Sequence, residues 1–179
     1  MSEFYINTSE LKKLSNTLSV GDKVYLSGVV YTARDAAHKK IMEMVSKGEK
    51  LPFDINGAII YYAGPTPTPN KLAIGSCGPT TSSRMDKFAP ELLERGLLCM
   101  IGKGPRSNQV CDAIVRNNAL YLCAIGGAGA LASECIKKCE VIAFDELGCE
   151  SIKKLDFDNF PLIVAIDSKG GNLFDAGEN

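Results

Sequence analysis

The sequence predicts a single α/β domain over residues 1–179. From about residue 71 to residue 144, β-rich apolar runs alternate with runs of helical spacing, the pattern of parallel β-α units. The first third of the chain and the apolar run "FPLIVAID" near its end break that rhythm. They predict a second, partly antiparallel layer. The 179 residues, 45% apolar and 23% charged, suit one domain with a sizeable core.

Taken in order, "TSELKKLSNT" (8–17) predicts a short helix capped by Thr8 or Ser9. "KVYLSGVVYT" (23–32) is rich in Val and Tyr and predicts a strand. "ARDAAHKKIMEMVSKG" (33–48) places Ala37, Ile41, Met44 and Val45 at helical spacing and stops at Gly48. "GAIIYYAG" (57–64) is a strand, followed by the stiff loop "PTPTPN". "KLAIGSC" (71–77) predicts a strand, and "SSRMDKFAPELLERG" a helix closing at Gly96. The strands "LLCMIG" (97–102) and "LYLCAIG" (120–126) flank a helix over 107–118 with Ser107 as its cap. A helix near 129–138 and the strand "CEVIAF" (139–144) follow. Residues 151–157 predict a short strand and 160–167 a second one. The segment 168–179 reads as a loose tail.

Composition excludes several function classes. A net charge of −1 provides no basic field for nucleic acid or an anionic membrane. No apolar run reaches the ~18 residues a membrane span needs. The N-terminal stretch lacks the apolar core of a signal peptide, so a cytoplasmic chain, or a mature organelle chain, is expected. Seven cysteines, several inside apolar runs, imply reduced and mostly buried thiols. With one histidine and no C-x-x-C pair, no metal site is expected in this chain, although Cys135 and Cys139 could share a helix face.

Cations recur at one kind of position. Arg34 follows the first long strand, where Thr32 and Asp35 form a capping-box pattern. Arg84 follows "GPTTSS", and Lys103 and Arg106 precede the helix that Ser107 caps. A helix N-terminus is already partly positive, so each cation is locally disfavoured by ~0.3–1 kcal/mol. Local rules tend to be broken where function requires it. Ligands of open α/β sheets bind outside the carboxyl ends of the strands, where helix N-termini present free N–H groups. Arg34, Arg84 and Lys103 would ring such a spot, with Thr80, Thr81, Ser82 and Ser83 as hydroxyl donors. That arrangement suits a small acid with more than one carboxylate or phosphate. The plain alternative is that each cation is solvated or paired with a surface carboxylate and that the hydroxyl run is only a cap. His38, one turn after Arg34, reads as a supporting or core histidine rather than a base.

Two other patterns point elsewhere. Gly127 to Ala132 fits G-x-G-x-x-A between a strand and a helix, the outline of a dinucleotide site. Only about 35 residues follow Asp145, too few for the remaining strands of that fold. Small residues there also let a helix pack close to the sheet. Cys77 with His38 as base lacks a recognisable catalytic context.

The stretches "GDKVYLSGVVYTARDAAHKKI", "LPFDINGAIIYYAGP", "IGSCGPTTSSRMD", "MIGKGPRS" and "FPLIVAIDSKGGNLF" closely resemble the β subunit, or C-terminal domain, of class I fumarate hydratases. The tartrate dehydratase β subunit is a near relative, and the resemblance runs from about residue 10 to 175. It implies a swivelling β/β/α three-layer domain with a parallel sheet and a second, partly antiparallel sheet. It implies reversible dehydration of (S)-malate to fumarate, with a 4Fe–4S cluster held by a partner α subunit and acting as Lewis acid on the substrate's C2 hydroxyl. It implies further assembly of αβ pairs. By motif, Thr80, Arg34 and Lys103 take catalytic roles, with Thr80 as base and Arg34 favouring its deprotonated form. Arg84, Thr81, Lys103 and Arg34 take substrate-binding roles, and His38 and Asp86 support them. Asp86 after "RM" leans toward fumarase, where tartrate enzymes tend to carry Glu. Pro105 and the Ser82-Ser83 pair depart from the expected pattern. The rival readings are a tartrate dehydratase β subunit, a non-catalytic dicarboxylate-binding module and a nucleotide-binding module.

Overall fold

Alternating apolar residues build seven strands: β1 (Glu3–Asn7), β2 (Lys23–Thr32), β3 (Ile59–Tyr61), β4 (Cys99–Gly102), β5 (Leu120–Ala124), β6 (Ile136–Ala143) and β7 (Ile152–Ile166). The structure is a computed structural model and describes residues 1–66, 68, 72–124 and 129–175, with only the backbone at Leu131. Its helices are α1 (Leu11–Leu14), α2 (Asp35–Ser46), α3 (Ala89–Glu94), α4 (Asn108–Arg116) and α5 (Gly129–Glu134), with 3-10 turns at Ser82–Met85 and Asp145–Glu150.

Among the described residues the strands form one sheet in the order β1-β2-β3-β4-β5-β7-β6. The first five pair in parallel, whereas β7 runs antiparallel to β2, β5 and β6. The expectation of a separate second sheet is therefore corrected. The antiparallel strands continue the parallel ones through β7, which pairs with both β2 and β5 and so closes a circuit of strands. At ~3.3 Å per residue, a fifteen-residue strand is long enough to serve both parts. The two strands expected over 151–157 and 160–167 are one continuous strand. Asn159 does take a positive φ of 50°, but its N–H donates to Ser27 Oγ at 2.9 Å, so the chain stays in the sheet.

The central parallel strands β3, β4 and β5 are buried on both faces, as near-continuous apolar runs require. Ile59, Tyr61, Ile101 and Leu122 face one core with Val24, Leu26, Phe157 and Phe160 from the antiparallel part. Ile60, Met100 and Tyr121 face the other core with Ala37 and Ile41 of α2, Leu92 and Leu93 of α3, and Val110 and Ile114 of α4. In the first core Phe157 and Phe160 stack at 4.3 Å, and Tyr61 meets both edge-on.

Several local expectations change. "KLAIGSC" is not a strand over its described residues 72–77. Ile74 and Cys77 are buried, and Cys77 N–H donates to Gly129 O at 3.2 Å, so the run packs as a loop beneath the start of α5. The helix expected from Ser82 divides into a 3-10 turn and α3. Cys135 and Cys139 do not share a helix face, because α5 ends at Glu134 and Cys139 lies in β6. Neither Thr8 nor Ser9 caps α1, whose N-cap residue is Glu10. Residues 168–175, expected to be loose, are hydrogen-bonded: Asp167 accepts from Val20, Lys169 and Gly171 N–H, and Leu173 N–H donates to Ala165 O. Residues 176–179 lie outside the described residues. Among the described residues no helix is long and apolar enough to cross a membrane.

Candidate functional site

Because β2, β3 and β4 are parallel neighbours, their carboxyl ends lie on one edge, with Thr32 opposite Tyr61 and Tyr61 opposite Ile101. Arg34 comes two residues after β2 and Lys103 one residue after β4. The hydroxyl loop is sewn to the same edge. Thr80 N–H donates to Tyr62 O at 2.7 Å, Thr81 forms a parallel bridge with Lys103, and Ser82 N–H donates to Lys103 O at 3.0 Å. Buried Ser82 completes the join, since its Oγ accepts from Lys103 N–H at 2.9 Å and from Tyr121 Oη–H at 2.8 Å. A Cβ at Gly102 would lie 1.8 Å from that oxygen, so only glycine fits there.

Arg34 is the extended N-cap residue of α2 rather than a first-turn residue. The expected Thr32–Asp35 capping box does not form. Buried Thr32 instead accepts from Lys153 N–H at 3.0 Å and donates to Ser151 O at 3.4 Å. The Arg34 side chain lies against Gly64, whose ideal Cβ would stand 3.1 Å from its Nη1 and Cδ. Arg84 reaches the same place from the 3-10 turn, and its Nε donates to Asp35 Oδ1 at 3.0 Å. With 52% of its side chain exposed, the rest of the guanidinium fork is open. Lys103 and Thr81 are exposed, and among the described residues Lys103 has no ion-pair partner. The structure thus brings Arg34, Thr80, Thr81, Arg84 and Lys103 to one edge, where three cations and two hydroxyls can meet a compact anion.

Arg106 is not part of that ring. Its side chain is fully buried, donating to Asp86 Oδ1 at 2.6 Å and to Tyr62 Oη at 3.2 Å, with its guanidinium over the rings of Tyr62 and Tyr121. Asp86 Oδ2 also accepts from Ser107 N–H at 2.7 Å, and Ser107 caps α4 as expected. Asp86 and Arg106 therefore tie the Thr80–Arg84 loop to the Lys103 loop.

His38 is fully buried between Tyr62 and Phe88. Its Nδ1 lies 2.8 Å from Arg34 O, which requires Nδ1–H as donor and leaves Nε2 without a partner. Burial pushes its pKa down to about 4. The unfolded chain takes up this proton near pH 6.5 and the folded chain only near pH 4. Stability is therefore fully present above pH 6.5 and is lost as pH falls toward 4, by about 3 kcal/mol. Urea midpoints of the wild type should drop more between pH 7 and pH 4 than those of His38→Gln. Parallel pH profiles would remove His38 as the cause.

The other expectations resolve simply. All seven cysteines are free thiols, two buried, four half-buried and Cys149 exposed. Burial pushes the Cys77 thiol up to about 12, which makes it a poor nucleophile. Gly127 and Ala128 of the glycine motif lie outside the described residues, but the strand that follows, β6, runs antiparallel to β7, unlike the parallel strand a dinucleotide fold needs. Among the described residues no three His, Cys, Asp or Glu side chains are grouped to hold a metal ion. Sequence reasoning missed Asp35 as the partner of Arg84, and Glu150. The latter accepts from Ala36 N–H across 114 positions of chain, a separation that no local pattern signals.

Three cations and two hydroxyl side chains stand at the ends of parallel strands in an α/β domain. The sequence model of the family described as "Fumarase C-terminus" matches residues 1–177, and the chain belongs to that family. It is 40% identical to the aerobic class I fumarate hydratase of Salmonella typhimurium over 93% of this chain and 29% of that protein. It is 43% identical to fumarate hydratase 2 of Leishmania major over 87% of this chain and 28% of that protein. It is 42% identical to the putative L(+)-tartrate dehydratase subunit beta of Methanocaldococcus jannaschii over 92% of this chain and 87% of that protein. The chain thus spans under a third of the fumarate hydratases it matches and most of the tartrate dehydratase subunit.

Proposed function

We propose that this chain is the β-type half of an iron-sulfur hydro-lyase that interconverts (S)-malate and fumarate, active only with an α subunit. The observation that carries the reading is the meeting of Arg34, Arg84 and Lys103 with Thr80 and Thr81 at the ends of three parallel strands. The 4Fe–4S cluster is assigned to the α subunit. The fold is assigned to the swivelling β/β/α type: the single sheet closes through β7 around the first core, so that its strands supply both β layers, and α2, α3 and α4 form the third layer over the second core. Cytoplasmic placement and further assembly of αβ pairs complete the proposal.

In this reading Arg84 and Lys103 hold the two carboxylates of the substrate. Arg84 does so with the fork that Asp35 leaves free. Thr80, as alkoxide, takes the C3 proton. The electron pair left on C3 forms the double bond as the C2–O bond breaks, and the C2 hydroxyl leaves as hydroxide that takes one proton from a donor on the α side to become water, while Thr80 releases the C3 proton to solvent and returns to alkoxide. Arg34 lies against the same strand end as Thr80, and its positive charge favours the deprotonated hydroxyl. Departure of the hydroxyl is assigned to the half of the site held by the α subunit. The length match to a protein named as a tartrate dehydratase subunit favours (2R,3R)-tartrate as a second reading of the substrate.

Arg84→Lys tests the proposal because lysine keeps the charge and loses the two-pronged donor. Loss of one charge-assisted hydrogen bond, ~1.5–3 kcal/mol, should lower kcat/KM for the preferred dicarboxylate roughly 10- to 150-fold in the assembled enzyme. Arg84 is exposed and similar in helix propensity to lysine, so the melting temperature should hardly move. Near wild-type kcat/KM would remove Arg84 from the site.

A further inference from the structure

Arg34 has no side chain of its own element to hold it. It occupies the N-cap position of α2, and its buried Nε has no hydrogen-bond partner. What reaches it is Glu150, from the 3-10 turn at Asp145–Glu150. Glu150 Oε1 lies 4.0 Å from Arg34 Nε and 3.4 Å from Ala36 N, so one carboxylate addresses both the guanidinium and an open N–H of the helix. The turn that carries Glu150 is itself anchored. Buried Lys153 donates through Nζ to Cys149 O and Ser151 O at 3.1 Å each and to Ser151 Oγ at 2.8 Å. Lys40 of α2 pairs with Glu146 on the far side of the turn. At Gly64 a Cβ would come within 2.9 Å of Cys149 O and 3.1 Å of the Arg34 side chain. Arg34 is thus wedged between Gly64, beyond the end of β3, and this turn.

We infer that Glu150 is a positioning residue: it holds Arg34 by its Nε side, so that the terminal Nη groups face the site. This rests on the role proposed above for Arg34. At 4.0 Å the carboxylate draws the Nε edge of the guanidinium by charge, without a hydrogen bond, and leaves the fork uncovered. A small misplacement of a catalytic group costs far more rate than stability.

The test is a double-mutant cycle in the assembled αβ enzyme. Glu150→Gln keeps the size and an acceptor for Ala36 N–H but removes the charge facing Arg34. It should lower kcat/KM by about 10-fold, with the melting temperature nearly unchanged. Glu150→Asp, which retains the charge on a shorter arm, should recover part of the activity. In an Arg34→Lys background, Glu150→Gln should cost little more, because the two residues act through one group. Additive losses would show that Glu150 serves only as a helix cap, and activity in Glu150→Gln within twofold of wild type would also overturn the inference. The wild-type assembly separates the two claims: if it is active, a failure of the cycle falls on Glu150 alone, and if it is inactive, the proposed role of Arg34 and the inference fall together.

Discussion

Replacing Thr80 by valine is expected to lower kcat of the assembled enzyme by about 10²- to 10⁴-fold, the usual contribution of a positioned acid or base. Valine keeps the shape and removes the hydroxyl. It also keeps the Thr80 N–H that donates to Tyr62 O, so the loop should stay on the strand edge. KM should change much less than kcat, because the carboxylates are assigned to Arg84 and Lys103. Thr81→Val is the internal control: Thr81 is exposed and bridges Lys103 through its backbone, and its loss should be felt mainly in KM. Equal, small effects from the two replacements would take the proton transfer away from Thr80.

Asp86→Asn should be the most destabilising single change near the site. Arg106 has a fully buried side chain, and Asp86 is its carboxylate partner. Removing one charge of a buried pair leaves the other uncompensated, at a cost of about 3–5 kcal/mol. The same change weakens the bond that holds Ser107 N–H at the start of α4. Adding Arg106→Leu should recover part of the loss, because the stranded charge goes with it. Denaturant unfolding of the two variants decides the matter. A loss below about 1 kcal/mol for Asp86→Asn would place the pair among weakly contributing ion pairs.

Where local chemistry determined structure, the sequence was readable. β2 spans the predicted residues 23–32 because its Val and Tyr run has no competing turn signal, and Ser107 caps α4 as a serine before an amphipathic run should. β1 went unread. "EFYIN" is short, and among the described residues it pairs only with β2, in parallel register, which no hairpin announces. "KLAIGSC" has strand composition, but it folds as a buried loop against Gly129. The ring of cations was flagged by an expected conflict with helix-end electrostatics, although Arg34 lies at the N-cap of α2, Arg84 in a 3-10 turn and Lys103 in the loop after β4. The structure keeps Arg34, Arg84 and Lys103 in that ring and gives Arg106 to Asp86. The groups that hold the ring, Asp35 for Arg84 and Glu150 for Arg34, depend on contacts between distant segments. Such contacts leave no local periodicity to read.

The most direct test of the central claim is co-expression with a fumarase-type α chain, followed by anaerobic assays of malate, fumarate and tartrate turnover. Each chain is assayed alone and then with its partner. The account predicts no turnover by either chain alone and dicarboxylate hydro-lyase activity in the complex, abolished or strongly reduced by Thr80→Val in this chain. Full activity of the α chain without this one, or a folded complex that binds and converts no dicarboxylate, would contradict it.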